Sequence, residues 1–397
     1  MKKYHQLLLL ITSLISISLF LIYRHEYNRL HYVLEVFNFF GHPCNFTELQ
    51  RSDNVLAQHD WGPIPVWQET ETGYIYSAFI TGKGEVRAIA LQSDTKIVPR
   101  NCYFWFEEKK KPVVGKFKFS KVTNDEAAVL NSYFYNCNLV NIELVPYAIS
   151  FSFKSKREND MKKIMLTNTL DHSLTINTTI CVTPSMYSKK RLFEFVSYHK
   201  LIGFDNFIFY HRDIPHRISK FMANVANRLD IKVSFLPFNY PKGDSPQIRL
   251  LVENECNLRT LGQTKYVVTL ETNEYIVPRN ALTITSFLRN VDEDSKRFSL
   301  PVQKFCIDNL DLKKPIALQS FDVSDDYNYN VVRYIYKNTK IDDVVTTNAI
   351  DKTLASIHKY VRCSLSPQKS HTDKTMMKFY TDFYRSTLVQ LLIHDQI

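Results

Sequence analysis

The stretch TKYVVTLETNEYIVP, residues 264–278, joins two apolar segments through a polar cluster. Its first seven residues are rich in the β-branched and aromatic types that favour strands. Glu271, Asn273 and Glu274 follow before the apolar segment YIVP. A polar cluster at the end of a buried strand is either an ordinary turn or a site that holds a charged ligand. The surrounding sequence decides between these interpretations.

Strands and helices alternate before this stretch. The predicted strands are TINTTICVTP, FDNFIFY, IKVSFL and TKYVVTL, and the predicted helices between them are SKKRLFEFVSYHKLIG, PHRISKFMANVANRL and SPQIRLLVENECNLRTLG. Ser188 is a plausible N-cap for the first helix, and Gly203 and Gly262 are plausible stops for the first and third. Such alternation indicates parallel βαβ units, with a mostly parallel sheet and helices on both faces.

We therefore predict an α/β domain over residues 175–397. In open α/β sheets the ligand crevice lies outside the carboxyl ends of the strands. Residues 271–274 directly follow the fourth predicted strand. This position favours a ligand site over an ordinary turn.

A second domain is predicted upstream. Residues 61–155 contain short segments rich in β-formers, such as GYIYSAFI, EVRAIAL and CYFWFE, separated by Gly, Pro and Asn. We interpret them as a β-rich accessory domain. The run EEKKKPVVGKFKFSK is either a patch for an anionic partner or, the favoured reading, a solvated hairpin with Lys protecting an edge strand.

The N-terminus predicts a membrane anchor. Residues 7–23 are 17 uncharged residues behind Lys2 and Lys3, without a small-residue cleavage site. We predict a cytoplasmic tail at 1–6, an uncleaved signal anchor at 7–23, a stem at 24–60 and a lumenal remainder. The sequons at Asn45 and Asn177 are compatible with a lumenal glycoprotein.

The cysteines and the charge narrow the class of protein further. Seven widely spaced cysteines without a C-x-x-C pair favour a few long-range disulfides with one unpaired thiol. For Cys181 and Cys256, a role as small buried apolar residues without a disulfide is an equal alternative. The net charge of +10 comes from Lys and Arg scattered among acids. No aromatic-basic motif of nucleic-acid readers appears, so we predict no nucleic-acid partner.

The polar cluster has the chemistry of a hard-cation site. Carboxylate and amide oxygens at Glu271, Asn273 and Glu274 suit Mn²⁺ or Mg²⁺, which usually complete their shells with substrate phosphates. In sugar transfer from a nucleotide diphosphate, such a metal would stabilise the charge on the departing nucleotide.

The combined motifs resemble glycosyltransferase family 92 over about residues 178–345. The matching positions are Glu194, His199 and Gly203 in the first helix, Gln247, Asn254, Cys256 and Arg259 in the third, and Glu271, Asn273, Glu274 and Pro278 in the acid motif. The resemblance implies a GT-A-like nucleotide-diphospho-sugar fold, a Golgi type II membrane protein, and inverting transfer of galactose from UDP-galactose to a glycan. The chain departs from the family pattern by having Glu271 and Asn273 where the family has two aspartates.

Further site residues are predicted outside the acid motif. Gln247, Arg259 and Glu271 are expected to contact the donor, with pairing on the helix surface as the alternative for the first two. The acidic segment FDVSDDYNYN supplies the candidate general bases, of which we select Asp325 and Asp326. His199 is expected in the core. His358 is a candidate metal-side histidine, with a structural role favoured.

Two classes of function remain open. The first is a metal-assisted hexosyltransferase with a nucleotide-sugar donor and a glycan acceptor. The second, suggested by the altered acid motif, is a membrane-anchored pseudo-glycosyltransferase that binds a glycan or a partner enzyme. The sequence does not specify the sugar, the acceptor or the linkage.

Overall fold

The structure is a computed structural model of the whole chain. It describes residues 4, 12–13, 15–19, 21, 58–59, 62–63, 66–70, 73–93, 99–122, 130–140, 144–152, 161–169, 174–185, 188–212, 214–241, 245–281, 283–291, 295–307, 314–324, 331–338, 346–363 and 369–386. The chain divides into two units, Met1–Asp60 and Trp61–Ile397.

Little of the first unit belongs to the described residues. Those at 4, 12–13, 15–19 and 21 are helical, and strand β1 spans Gln58–His59. Within the part of the chain that the structure describes, no helix has both the length and the apolar character needed to cross a membrane. The rest of the predicted anchor at 7–23 and most of the predicted stem at 24–60 lie outside the described residues.

The second unit begins with the short strand β2 Gly62–Pro63 and continues with eight strands that form one sheet. These eight are β3 Gln68–Glu69, β4 Gly73–Gly82, β5 Glu85–Gln92, β6 Asn101–Trp105, β7 Val113–Lys121, β8 Asn131–Asn138, β9 Ala148–Ser152 and β10 Ile164–Asn168. Strands β3 to β10 pair in the order β10-β9-β6-β7-β8-β5-β4-β3. Because β10 also pairs in parallel with β4, the sheet closes on itself.

This closed sheet is the predicted β-rich region, with a later end. Its last strand, β10, follows the charged segment KSKRENDMKK, which the sequence interpretation took as a domain boundary at residue 155. The strand belongs to the sheet because Ile164 and Leu166 are buried in its core. Strand β7 is paired on both sides, with β6 and β8, so its lysines do not protect a free edge.

The remaining elements form the α/β part. They are β11 Ile176–Val182, α1 Lys189–Leu201, β12 Asn206–His211, α2 His216–Leu229, β13 Lys232–Pro237, α3 Gln247–Arg259, β14 Thr264–Leu270, β15 Glu274–Pro278, α4 Ile284–Val291, β16 Arg297–Cys306, β17 Asp322–Ser324, β18 Val332–Lys337, β19 Thr347–Ala349, β20 Ala355–Val361, β21 Lys369–Thr372 and α5 Tyr380–Arg385. Short 3₁₀ helices span Ile316–Leu318 and Thr375–Phe379.

The four predicted strands are parallel neighbours. They lie in the order β13-β12-β11-β14, and each is linked to the next along the chain by one of helices α1 to α3. Beyond β14 the sheet changes direction, since β18 is antiparallel to both β14 and β16. The prediction of parallel βαβ units is confirmed for this half, and the other half of the sheet is mixed.

The predicted helix ends are confirmed. The Ser188 hydroxyl accepts a hydrogen bond from the backbone N–H of Arg191 at 3.2 Å, as an N-cap does. Gly203 has φ of 96° and Gly262 has φ of 73°, in the left-handed region where glycine is favoured. The 3₁₀ helix at Thr375–Phe379 and helix α5 pack back on the domain, where the rings of Phe379 and Phe383 contact Tyr198.

Three disulfides join distant parts of the second unit. Cys102 pairs with Cys137, Cys181 with Cys256, and Cys306 with Cys363. The prediction of long-range disulfides is confirmed, and the alternative of unpaired buried Cys181 and Cys256 is wrong. The seventh cysteine, Cys44, lies outside the described residues.

The closed sheet and the α/β sheet share a hydrophobic core. Tyr76 and Phe79 of β4 are buried with Tyr210 of β12 and with Leu251 and Cys256 of α3. The Tyr76 hydroxyl donates to the Pro237 carbonyl at 2.7 Å. Helix α3 therefore has one side against the closed sheet, and this contact fixes the direction in which its other side chains point.

Candidate functional site

The acid motif lies at the carboxyl end of β14, where the sequence predicted it. Strand β14 ends at Leu270 and β15 begins at Glu274. Two antiparallel pairings bring cations to this point. Lys359 of β20 lies opposite Glu274 of β15, and β18, which is paired with β14, places Arg333 two residues before the partner of Val268.

Glu274 is the buried centre of the motif. Its carboxylate accepts hydrogen bonds from Nε of Arg333 at 3.0 Å and from Nη2 at 2.5 Å. Arg249 Nη1 approaches it to 3.3 Å and Lys359 Nζ to 3.4 Å. Burial raises the pKa of Glu274, but the charges of Arg249, Arg333 and Lys359 outweigh this effect and lower the pKa to about 2.

Glu271 is the open member of the motif, with one third of its side chain exposed. Lys359 Nζ donates to both carboxylate oxygens of Glu271, at 2.9 and 2.8 Å. Arg249 and Arg333 each approach the same carboxylate to 3.5 Å. Three cations are therefore in contact with both carboxylates.

Asn273 is held by the neighbouring strand. Its side-chain amide donates to the Tyr360 carbonyl at 3.0 Å, and its own carbonyl accepts from the Tyr360 N–H at 3.0 Å. These two bonds tie the turn to β20. The amide nitrogen faces a protein carbonyl, so the side chain stabilises the turn.

These contacts do not fit the predicted Mn²⁺ or Mg²⁺ ligands Glu271, Asn273 and Glu274. A hard cation needs several anionic or neutral oxygens directed at one point, whereas both carboxylates here are directed at Arg and Lys side chains. Within the described residues, no group of three or more His, Cys, Asp or Glu side chains converges on a cation site. The position of the motif is as predicted, but its partners are different.

Gln247 and Arg259 lie on the side of α3 that faces the closed sheet. Gln247 is buried, accepts from the Ser132 hydroxyl at 2.8 Å and donates to the Leu130 carbonyl at 3.2 Å. Arg259 is fully buried and donates to Glu255 from Nε at 2.9 Å and from Nη2 at 2.5 Å. The predicted contact of Gln247 and Arg259 with the donor does not fit this burial, because both side chains join the two sheets.

The candidate bases Asp325 and Asp326 lie outside the described residues, so their role stays a prediction. Asp322, the first acid of the segment FDVSDDYNYN, lies on β17 and accepts a hydrogen bond from the Thr372 hydroxyl at 3.0 Å.

Both histidines of interest are buried. His199 has one ring nitrogen, Nδ1, 2.8 Å from the Phe195 carbonyl and stacks on Tyr275, which confirms the prediction of a core position. His358 contacts the ring of Phe305, and its Nε2 is 3.7 Å from Asp373. Both are fully buried, so His358 is not at the surface and its position fits the structural role that the sequence favoured.

The buried histidines predict sensitivity to acid. Burial lowers the pKa of His199 and of His358 to about 3, against about 6.5 in the unfolded chain. Between these values the unfolded chain binds more protons, so stability is full above pH 6.5 and is lost as the pH falls towards 3. We expect the unfolding free energy to fall by about 3 kcal/mol per histidine from pH 7 to pH 4, since most of the pH range between the two pKa values is crossed and each pH unit there contributes about 1.4 kcal/mol.

Urea unfolding at both pH values measures this loss. His199→Phe should reduce the difference between pH 7 and pH 4, and His371→Gln is the control because His371 is exposed. An equal pH dependence in His199→Phe and the unmodified chain would contradict the assignment.

Arg249, Arg333 and Lys359 are site residues that the sequence motifs did not predict. The available signal was electrostatic, since a buried acid motif needs positive partners. Arg249 was visible two positions after Gln247, and such residues point to nearly opposite sides of a helix. Arg333 and Lys359 are distant in sequence and become neighbours only through strand pairing.

A family model described as glycosyltransferase family 92 matches residues 176–378, just over half of the chain. This chain belongs to glycosyltransferase family 92. The resemblance drawn from the sequence motifs is confirmed, and the protein is a member of a transferase family that implies a sugar donor and a glycan acceptor. The matched region contains α1 to α4, the acid motif and all three cations that surround it.

No curated protein matches the chain. A solved structure described as a glucose-1-phosphate thymidylyltransferase from Bacillus anthracis in complex with sucrose matches with 7% sequence identity and a TM-score of 0.28. The match covers 47% of this chain and 89% of that one. A likeness at this level assigns neither a fold nor a substrate.

Proposed function

We propose that the chain transfers a hexose, galactose from UDP-galactose, to a glycan with inversion at the anomeric carbon. The observation that carries the proposal is the charged cluster at the carboxyl end of β14, where ligands of open α/β sheets bind, inside the family 92 region. Glu271 leaves this cluster partly open to solvent. A GT-A-like fold for residues 175–397 is part of the same proposal.

Each group of site residues would have its own role in the transfer. Glu271 and the cations around it would lie beside the donor diphosphate, and Asp325 or Asp326 would accept the proton from the attacking acceptor hydroxyl. The predicted Mn²⁺ or Mg²⁺ has no role in this proposal, because the motif carboxylates are paired with cations. The anchor at 7–23 would place the site in the Golgi lumen.

Incubation of the full chain with UDP-galactose and a mixed glycan pool tests the function. We expect UDP release and incorporation of galactose that depend on the glycan. Asp325→Asn or Asp326→Asn should lower transfer by about 10²–10⁴-fold if that residue is the base. Asp322→Asn is the matched control and should retain transfer.

A pseudo-glycosyltransferase is the second candidate, favoured by the pairing of both motif carboxylates with protein cations. In that case the chain would bind a glycan or a partner enzyme without turnover. Glycan binding without UDP release in the same assay would support it, and glycan-dependent UDP release would exclude it.

A further inference from the structure

The residue types of the acid motif predict a metal site, but the contacts of its side chains do not fit one. The sequence places two carboxylates and an amide where a divalent cation would be held, yet the contacts of these groups are with Arg249, Arg333, Lys359 and the backbone of Tyr360. We propose that Arg249 and Lys359 hold the donor diphosphate directly, in place of a divalent cation. This inference rests on the proposed function, because it concerns the same donor.

The local charge supports direct anion binding. Two carboxylates, Glu271 and Glu274, are in contact with three cationic side chains, so these direct contacts leave one positive charge in excess. A third acid, Glu253, accepts a hydrogen bond from Tyr336 at 2.5 Å, and burial raises its pKa. Arg297 is also among the charges that act on Glu253, so the three cations are not the only positive neighbours of this acid. A diphosphate meets an attractive site without a metal.

Differences in side-chain exposure indicate which two of the three cations can contact the diphosphate. Arg333 is the most buried, with 8% of its side chain exposed, and its guanidinium is committed to Glu274 by two donors. Arg249 has 22% and Lys359 has 15% of the side chain exposed, and both border the open carboxylate of Glu271. Arg333 fixes Glu274, and Glu274 and Glu271 in turn hold Arg249 and Lys359 at the partly exposed side of the cluster.

The chemistry of transfer needs positive charge at this place. The acceptor oxygen forms a bond to the anomeric carbon as the bond from that carbon to the diphosphate oxygen breaks, and the electron pair remains on the diphosphate. The acceptor proton goes to the general base. Fixed cations beside the diphosphate stabilise the charge that develops there, and they need no reorganisation during the reaction.

Substitution of Glu271 distinguishes donor binding through a metal from direct binding by Arg249 and Lys359. As a metal ligand its carboxylate would be required, and Glu271→Gln would abolish donor binding. Beside two cations that bind phosphate directly, its negative charge opposes the diphosphate. Glu271→Gln should then bind UDP at least as tightly as the unmodified chain, by up to about tenfold.

Calorimetric titration of UDP into the full chain, with Mn²⁺ and then with EDTA, is the test. We expect equal affinity in both conditions. Lys359→Gln should weaken UDP binding at least about tenfold, and Lys359→Arg should retain most of it because the charge is kept. The exposed Lys118→Gln on β7 is the matched control and should bind UDP normally.

The outcomes distinguish failure of direct diphosphate binding by Arg249 and Lys359 from failure of the proposed transferase function. UDP binding that requires Mn²⁺ and is lost in Glu271→Gln would overturn direct binding by the cations while leaving the transferase proposal in place. No UDP binding under either condition would overturn both. Comparison of the melting temperatures of the variants identifies any loss of binding that comes from misfolding.

Discussion

Replacing Glu274 by glutamine is expected to lower the free energy of unfolding by about 3–5 kcal/mol, because it leaves buried positive charge without its partner. The carboxylate is fully buried and receives two donors from Arg333 and a third charged contact from Arg249. It also accepts the backbone N–H of Glu271 at 3.0 Å. The neutral amide has the same shape, so the change isolates the charge.

Glu271→Gln provides the matched comparison. The same chemical change is made three residues away at a carboxylate that is one third exposed, where ion pairs contribute about 0–1 kcal/mol. Urea unfolding followed by tryptophan fluorescence measures both variants. Equal effects of the two substitutions would show that Glu274 is not the anchor of the cluster.

A double-mutant cycle with Arg333 assigns the effect to the pair. Glu274→Leu combined with Arg333→Leu should be less destabilising than the sum of the single changes, because each single change leaves a buried charge unpaired. Additive effects would contradict a direct interaction. The cycle also separates the structural role of Glu274 from the donor contact proposed for Lys359.

The position of the site was predictable because it depends on local patterns. Apolar runs of strand length alternate with helices that begin at Ser188 and stop near Gly203 and Gly262, and these signals lie within a few residues of the elements they delimit. Once the strands are parallel, the motif after β14 must lie at their carboxyl edge. Family membership followed from the same residues.

The chemistry of the site was not predictable from the motif alone. Lys359 reaches Glu271 from 88 residues away and Arg333 reaches Glu274 from 59 residues away. Both contacts depend on β18 and β20 pairing antiparallel to β14 and β15, a register that no local pattern specifies. The partners that change a carboxylate from a metal ligand into a counter-ion are therefore tertiary.

The assignment of α3 failed for a related reason. Gln247 and Arg259 were interpreted as donor contacts, yet they lie with Leu251 and Glu255 at four-residue intervals, on one stripe of the helix. That stripe faces the closed sheet, whose position relative to α3 is a tertiary feature. Arg249, on the other side, faces the acid motif.

The buried pair Arg259–Glu255 gives the second large effect. Glu255→Gln is expected to lower the free energy of unfolding by about 3–5 kcal/mol, because Glu255 receives two donors from Arg259 and the hydroxyl of Tyr210. Both partners are fully buried, and the guanidinium lies 5.4 Å from the centre of the Phe79 ring of the closed sheet. Burial lowers the pKa of Arg259, but the charge of Glu255 outweighs this and raises the pKa, so the arginine remains charged.

Asp205→Asn is the control for this prediction, since Asp205 forms a partly exposed ion pair with Lys200 at 3.4 Å and its loss should cost less than about 1 kcal/mol. Replacing the buried pair together, by Glu255→Leu and Arg259→Met, should recover part of the stability lost in Glu255→Gln because no charge is then left unpaired. Urea unfolding measures all three variants. If Glu255→Gln unfolds at the same urea concentration as Asp205→Asn, the buried pair does not stabilise the contact between the two sheets, and the contact depends on the apolar core around Tyr76 and Leu251 instead.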